Sequence, residues 1–362
     1  MLLLGLIVVV PAFAAGSPQT APENANKLCL ECHSIPERKV TLPSGEVLPL
    51  VIDGSTYDAS VHGQKGIRCI DCHINIRGYP HPPLAANNYR DFQFDRYRSC
   101  FPCHTEQYHA TLDSVHHEAM SADNRDAPIC TDCHGAHDVS DPTTPRQKIS
   151  QTCSKCHAAI FEQYRNSVHG AALMADSNPD VPTCVDCHSV HNVGDPHSAK
   201  FRLTSPQTCG HCHADAELMS KYGISTAVFD TYVADFHGTT VTLFERESPD
   251  QPTNKAVCFD CHGVHNIKAV TDPESSVVRE NLLVTCQRCH PDADISFPAS
   301  WTSHYIPDKE HTPLVYYVNL FYRYFIPSVV GFMVFVVLFD ARKRLSRRLA
   351  RRRKAPSSEA GS

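Results

Sequence analysis

Apolar residues are concentrated near the two ends of the chain, and the long interior is polar and irregularly patterned. The longer apolar run extends from Leu314 to Phe339 and contains one charge, Arg323. About 20 apolar residues suffice to cross a bilayer as a helix. Several Tyr cluster at the start of this run, as expected at a membrane interface. We therefore predict one transmembrane helix at residues 313–339.

The shorter apolar run lies near the N-terminus. Residues 2–10, LLLGLIVVV, are too few to span a bilayer and are followed by PAFA, which resembles a signal-peptidase cleavage site. We predict a signal peptide at residues 1–14, with the mature chain beginning near Ala15. Retention of this segment as an anchor is the alternative, because no Lys or Arg precedes it.

Charge follows the same division. Residues 340–354, DARKRLSRRLARRRK, carry nine Lys or Arg, whereas the whole chain has a net charge of −6. The positive-inside rule predicts a basic cytoplasmic tail at residues 340–362 and places the interior on the other side of the membrane. The acidic interior argues against nucleic acid as a partner. Anionic lipid head groups suit the tail.

The interior shows little regular alternation. One stretch, KVTLPSGEVLPLVID from Lys39 to Asp53, alternates on either side of Pro-Ser-Gly and predicts a small hairpin. The 26 Pro and 16 Gly indicate many loops. We predict a mainly α fold of short helices with extensive irregular loops.

All 18 Cys belong to copies of one motif, Cys-x-x-Cys-His, and none is left over. The nine copies are Cys29/Cys32/His33, Cys69/Cys72/His73, Cys100/Cys103/His104, Cys130/Cys133/His134, Cys153/Cys156/His157, Cys184/Cys187/His188, Cys209/Cys212/His213, Cys258/Cys261/His262 and Cys286/Cys289/His290.

This motif is typical of covalent haem attachment. Two thiols on one turn can bond to the two vinyl groups of a haem, and the following His then ligates the iron. Zinc ribbons pair their Cys motifs and need no His after each one, so an odd number disfavours zinc. A disulfide framework would show irregular spacings. We therefore predict nine c-type haems, with zinc or disulfides as the alternatives. The chain per haem is too short for an ordinary apolar core, so the haems should form the core.

The motifs form repeats. A first motif is followed by a Ser-Val-His or similar element, and then by a second motif with Asp before its second Cys, as in CIDCH, CTDCH, CVDCH and CFDCH. We predict dihaem modules at residues 15–90 (which includes the hairpin), 91–145, 146–198 and 199–275, with a single-haem segment at residues 276–312.

The repeat also assigns the distal iron ligands. A His three residues after a proximal His lies on the same side of its own haem, so it should serve a neighbouring haem. The Ser-Val-His type elements supply His62, His116, His169, His237 and His304; the Cys-His-x-x-His elements supply His137, His191 and His265; and His81 substitutes in the first module. His311 is the rival for the ninth place. His109, His117, His197 and His211 are expected to be surface or propionate-contacting residues.

The repeated CxxCH…SVHG…CxDCHGxH pattern resembles exported multihaem c-type cytochromes of the doubled-CXXCH kind, over residues 27–305. The resemblance implies low-spin bis-His haems packed in a chain and electron transfer as the function. The segment EHTPLVYYVNLFYRYF is similar to anchors of cytochromes that work beside a membrane b-type cytochrome. The expected partners are thus a b-type cytochrome or another quinone-linked membrane subunit, and periplasmic or outer-surface redox proteins.

The expected location is the cytoplasmic membrane, with the haem domain on the periplasmic side. The alternative function is a multihaem reductase or oxidase of nitrite, hydroxylamine or a sulfur oxyanion, with one open iron. No motif has its His replaced by Lys, which disfavours that alternative, and we expect no catalytic residue.

Overall fold

A computed structural model describes residues 26–300, 304, 306–310 and 312–353. The predicted signal peptide, His311 and the end of the basic tail lie outside the described residues. Among those described, the structure is mainly helical, as predicted. Its α-helices are α1 Lys27–His33, α2 Gly54–Ala59, α3 Val61–Gln64, α4 Cys69–Cys72, α5 Tyr89–Arg96, α6 Thr105–Thr111, α7 Val115–Ser121, α8 Cys130–His134, α9 Gln147–Ser154, α10 Ala158–Arg165, α11 Val168–Asp176, α12 Cys184–His188, α13 Ala199–His213, α14 Ala216–Ser220, α15 Ala227–Ala234, α16 Phe236–Glu247, α17 Cys258–His262, α18 Arg279–Gln287 and α19 Pro313–Arg353.

The predicted hairpin is present. Strands β1 (Lys39–Thr41) and β2 (Val47–Pro49) pair antiparallel, with Val40 opposite Leu48. Gly45 lies in the connecting turn at a φ of +89°, which a residue without Cβ adopts at little cost. Leu42 and Leu48 are buried, so the hairpin covers a small apolar patch of the first module.

The chain divides into two compact units. One comprises Met1–Cys212 and His237–Ser300, and the other comprises His213–Phe236 and Trp301–Ser362. In the second unit, the backbone N–H of His304 donates to Thr231 Oγ1 at 2.9 Å. The predicted dihaem boundaries follow motif spacing and stay a prediction.

The apolar core of the described residues is small. In the first unit, Leu203, Val241 and Val257 form a buried cluster, and Phe244 and Phe259 pack against it. Val257 directly precedes a haem motif, so this cluster holds the motif's helix in place. A core of this size is small for the length of chain that surrounds it.

Helix α19 begins at Pro313, where the missing N–H of Pro is tolerated, and extends through Pro327 to Arg353. It is the one described helix long and apolar enough to cross a membrane. The helix continues beyond the predicted end at residue 339, because the basic residues that follow are also good helix formers.

The turn after the second motif of a module has an unusual backbone. The residue that follows the proximal His is Gly135, Ser189 or Gly263 in the last three modules, at φ values of +76°, +67° and +84° with ψ near 180°. This region is open almost only to Gly. The predicted distal His of the Cys-His-x-x-His element follows two residues after this position.

Ser189 should therefore be strained, and Ser189→Gly should raise the free energy of unfolding by about 1 kcal/mol. Gly135→Ala should lower it by at least as much, because the new Cβ would also meet the Asp138 carboxylate. Denaturant unfolding of the two variants beside the wild type checks the pair. A fall in stability for Ser189→Gly would contradict the assigned backbone.

Candidate functional site

Each Ser-Val-His element begins a short helix. Ser60, Ser114 and Ser167 are buried N-caps whose hydroxyls accept backbone N–H groups at 3.0, 3.2 and 3.1 Å. Such caps are strongly preferred at helix starts. The His two residues later is therefore held on a fixed first turn. The sequence pattern contains this capping signal, although the sequence analysis used only the His.

Gly63 follows one of these His residues for a steric reason. A Cβ at this position would overlap the backbone carbonyl of Tyr57, and the same holds for Gly170 against Tyr164. The helix that carries the His can therefore lie directly on the preceding helix. The second module has His117 at this position, so its packing differs locally.

Neighbouring modules are joined by a repeated hydrogen bond. The Val between the cap Ser and the His donates its N–H to a carbonyl two residues beyond the Cys-His-x-x-His element of the next module. Val61 donates to Val139 at 2.8 Å, Val115 donates to Val193 at 2.9 Å, and Val168 donates to Ile267 at 2.9 Å. The two kinds of predicted distal His are therefore fixed beside each other at each junction.

Seven pairs of His rings face each other among the described residues, each with one proximal and one predicted distal ligand. Their ring centroids are separated by 6.1 Å for His33 and His81, 6.1 Å for His62 and His104, 6.1 Å for His73 and His137, 6.2 Å for His116 and His157, 6.1 Å for His134 and His191, 6.0 Å for His188 and His265, and 6.3 Å for His237 and His290.

This distance fits a metal between the rings. A bond from imidazole to a metal is about 2 Å long, and the ring centre lies about 1 Å behind the nitrogen, so two rings on opposite sides of one iron have centres about 6 Å apart. No three His, Cys, Asp or Glu side chains of the described residues are grouped to hold a bare ion. A pair of imidazoles alone would not complete the coordination of a metal, and a haem held by the neighbouring Cys would supply the remaining ligands.

The pairs follow a rule that the sequence did not reveal. A first-motif His faces the Ser-Val-His type residue of the preceding module, as His104 faces His62. A second-motif His faces the Cys-His-x-x-His residue of the following module, as His73 faces His137. Each junction between neighbouring modules therefore brings together His residues from both modules. His81 faces His33 within the first module, where no preceding module exists in the repeat.

His169, His213, His262 and His304 were predicted to ligate the two other irons, and their pairing stays a prediction. Each takes part in an interaction within the fold. Burial lowers the pKa of His213 and of His304, which favours the neutral ring.

The electrostatics of the paired rings suit metal ligation. Burial, and then the neighbouring His137 ring, lower the pKa of His73 to about 4. Burial also lowers the pKa of seven further paired rings: His62, His116, His134, His137, His188, His191 and His265. These rings are thus neutral at pH 7, the form that offers a nitrogen lone pair to a metal.

Hydrogen bonds fix the tautomer in the first pair. His33 Nδ1 lies 2.8 Å from the carbonyl of Leu50, and His81 Nδ1 lies 2.9 Å from that of Pro82. A carbonyl only accepts, so each Nδ1 carries the proton and donates. Nε2 of each ring is then unprotonated and offers a lone pair, as is usual at a metal-binding His.

The Cys residues show the order of the motifs in space. Within each module the first Cys of one motif lies near the first Cys of the other, in the pairs Cys29 and Cys69, Cys100 and Cys130, Cys153 and Cys184, and Cys209 and Cys258. Between modules, the second Cys of one motif lies near a Cys of the next motif. These pairs are Cys72 and Cys100, Cys133 and Cys156, Cys187 and Cys209, and Cys261 and Cys286. The nine motifs are therefore neighbours in sequence order. None of the eighteen Cys, all within the described residues, forms a disulfide.

The second Cys of most motifs is exposed at the surface of the polypeptide, as at Cys32, Cys103 and Cys289. The same holds for four more second Cys of the motifs, Cys72, Cys133, Cys156 and Cys187, whereas Cys212 and Cys261 are half-buried.

This difference between the two Cys of a motif has a local reason. The first Cys is half-buried in every motif, and in the four modules it lies near the first Cys of the other motif. The second Cys lies three residues further on. Cys103 and Cys289 lie near the second Cys of the preceding motif, Cys72 and Cys261 respectively. An exposed thiol is accessible to the vinyl group of a haem, so the exposed Cys stay predicted attachment points.

The family model of the doubled CXXCH motif matches residues 117–161. The matched segment holds the motifs that begin at Cys130 and Cys153. The match supports a multihaem c-type cytochrome with covalently bound haem, and the eighteen Cys are compatible with nine haems. No solved structure matches the chain.

Proposed function

We propose that the chain is a membrane-tethered nonahaem c-type cytochrome that passes electrons between a quinone-linked membrane partner and periplasmic or outer-surface redox proteins. The observation that carries the proposal is the set of seven facing His pairs with centroids 6.0 to 6.3 Å apart. When bound, haem supplies reversible one-electron chemistry at its iron.

The residues of the chain would do three things. The Cys pairs would hold each haem covalently, and the proximal His that follows would ligate its iron. The distal His, fixed on a capped helix or after a turn of positive φ, would close the opposite face. Because the motifs lie near one another in sequence order, electrons would pass from each haem site to the next along the chain.

A closed iron favours electron transfer over catalysis. Reduction of nitrite, hydroxylamine or a sulfur oxyanion needs an iron position open to substrate. The seven pairs would occupy both axial positions at the motifs they serve. An electron carrier needs no such opening, because only the oxidation state of iron changes.

The membrane assignment rests on helix α19 and the charge that follows it. The helix is long and apolar enough to span a bilayer. Its basic end suits the cytoplasmic side, so the haem sites would lie in the periplasm, with the motif of Cys286 nearest the membrane in sequence. An acidic exported surface suits basic or neutral redox partners.

Reoxidation kinetics separate the two functions. The purified protein is reduced fully and then mixed with ferricyanide, or with nitrite, hydroxylamine or sulfite. We expect complete one-electron reoxidation by ferricyanide and no turnover of the three small substrates above the rate of free haem. Sustained turnover of any of them would show a reductase instead.

A further inference from the structure

The Asp in the second motif of each module is part of a repeated contact. It lies between the two Cys, as Asp71, Asp132, Asp186 and Asp260. Its carboxylate accepts the backbone N–H of the residue before the motif, at 2.8, 2.8, 2.6 and 2.7 Å respectively. The Asp thus caps the one-turn helix that carries the motif.

In the last three modules an Arg from outside this turn binds the same carboxylate. Arg90 Nη1 lies 3.0 and 2.9 Å from the two oxygens of Asp132. Arg202 Nη1 and Nη2 contact the two oxygens of Asp260 at 3.0 and 2.6 Å, a two-point contact of the kind that Arg geometry favours. Arg146 Nη2 contacts Asp186 at 3.2 Å.

The same Arg side chains also bind the backbone that leads into the second motif. Arg90 donates to the carbonyls of Arg125 and Ala127 at 2.7 and 2.6 Å. The Arg202 guanidinium donates to the carbonyl of Lys255 at 2.7 Å. Arg146 donates to the carbonyls of Pro179 and Val181 at 2.9 and 3.0 Å. Each guanidinium therefore spans the approach segment and the motif turn.

Each of these Arg residues belongs to the element that leads into the first motif of the same module. Arg146 is the N-cap of α9, which contains Cys153, and Arg202 lies in α13, which contains Cys209. Arg90 lies in α5, just before the motif of Cys100. Each contact thus connects the first haem motif to the second. In the first module Arg68 directly precedes the motif and is bound only locally, three residues from Asp71.

The Arg–Asp ion pairs of the second and fourth modules are partly shielded from solvent. The side chains of Arg90 and Asp132 are 25% and 29% exposed, and those of Arg202 and Asp260 are 24% and 27% exposed. By contrast, Arg165 and Glu162 pair at the surface with about half of each side chain exposed. Such an exposed pair contributes little.

We propose that Arg90, Arg146 and Arg202 are positioning residues that fix the second haem motif of a module against the first and so set the orientation of its proximal His. The proposal rests on the function proposed above. Lys would not replace the guanidinium, because an ammonium cannot reach a carboxylate and two carbonyls in one plane.

The test is the EPR spectrum of oxidised Arg90→Gln, Arg90→Lys and Asp132→Asn, with the haem content counted. We expect the low-spin signal of about one haem in nine to shift in all three, because the His134 ring turns. Arg165→Gln is the matched control and should leave the spectrum unchanged. The double variant Arg90→Gln/Asp132→Asn should shift the EPR signal no further than either single variant does. The double variant Arg90→Gln/Asp260→Asn should shift the EPR signals of two haems.

Unchanged spectra with lowered thermal stability would overturn the proposal and leave an ordinary stabilising ion pair. If a variant matures with one haem missing, peptide mapping decides: loss at Cys130 and Cys133 supports positioning, and loss elsewhere overturns it. A wild-type protein without low-spin bis-His haems would instead refute the proposed function, so the two failures are distinguishable.

Discussion

His62→Ala should open the iron at the motif of the next module, because the His62 ring faces His104 with centroids 6.1 Å apart. About one haem in nine should become high-spin and bind carbon monoxide when reduced. The measurement is the carbon monoxide stoichiometry of the reduced variant. The expected effect is large, since the wild type should bind none at the seven paired sites.

His117→Ala is the matched control. His117 is on the same kind of helix as a distal ligand, and its ring lies near Ser121 Oγ rather than opposite another His. It should leave both spin state and carbon monoxide binding unchanged. Carbon monoxide binding by the His117→Ala variant, or its absence in the His62→Ala variant, would contradict the assigned pairing of His62 with His104.

Removal of residues 313–362 should release the protein from the membrane almost completely. Helix α19 presents an apolar surface that is exposed throughout the structure. Transfer of about 20 apolar residues from water into the bilayer stabilises membrane attachment far more than the attraction of the basic tail to lipid head groups does. The measurement is the fraction of haem that sediments with the membranes.

Removal of residues 340–362 alone is the control for this truncation. It deletes the basic tail but keeps the apolar segment, so the protein should stay with the membranes while its orientation becomes mixed. Release by the shorter truncation would contradict the role given to the apolar segment.

The sequence predicted the parts of this protein that depend on local pattern. The motifs, the hairpin at Lys39–Pro49 and the long apolar helix are each readable from a short stretch of residues. The candidate distal His residues could be selected because a repeat presents the same residue several times, and the structure places seven of them opposite a proximal His. Their ligation of iron stays a prediction.

The partner of each ligand was not readable, because it depends on how the modules pack. His62 could have served any haem within reach, and only the junction, with the bond from Val61 to Val139, decides which. The Arg contacts were missed for the same reason. Arg146 and Arg202 each lie seven residues before a first-motif Cys, but Arg90 lies ten before, so the spacing alone gives a weak signal.

The exposure of the Cys residues was not readable either. The motif treats its two Cys alike, whereas the fold half-buries Cys100 and leaves Cys103 exposed. Cys100 lies near Cys130, a residue of another motif. Such proximity depends on the packing of the module and not on the spacing within one motif.

The end of helix α19 shows a different limit. Hydropathy indicated residue 339 as the end of the membrane segment, whereas the helix extends to Arg353. Hydropathy reports where the lipid-compatible surface ends. Helix propensity, which Arg, Lys, Leu and Ala all favour, decides where the backbone stops.

In the proposed electron carrier, every haem has His on both sides of its iron. EPR of the oxidised purified protein, with carbon monoxide added to the reduced form, tests all nine sites in one experiment. We expect nine low-spin haems and no carbon monoxide binding. About one high-spin haem in nine that binds carbon monoxide would contradict it and mark that iron as a candidate active site.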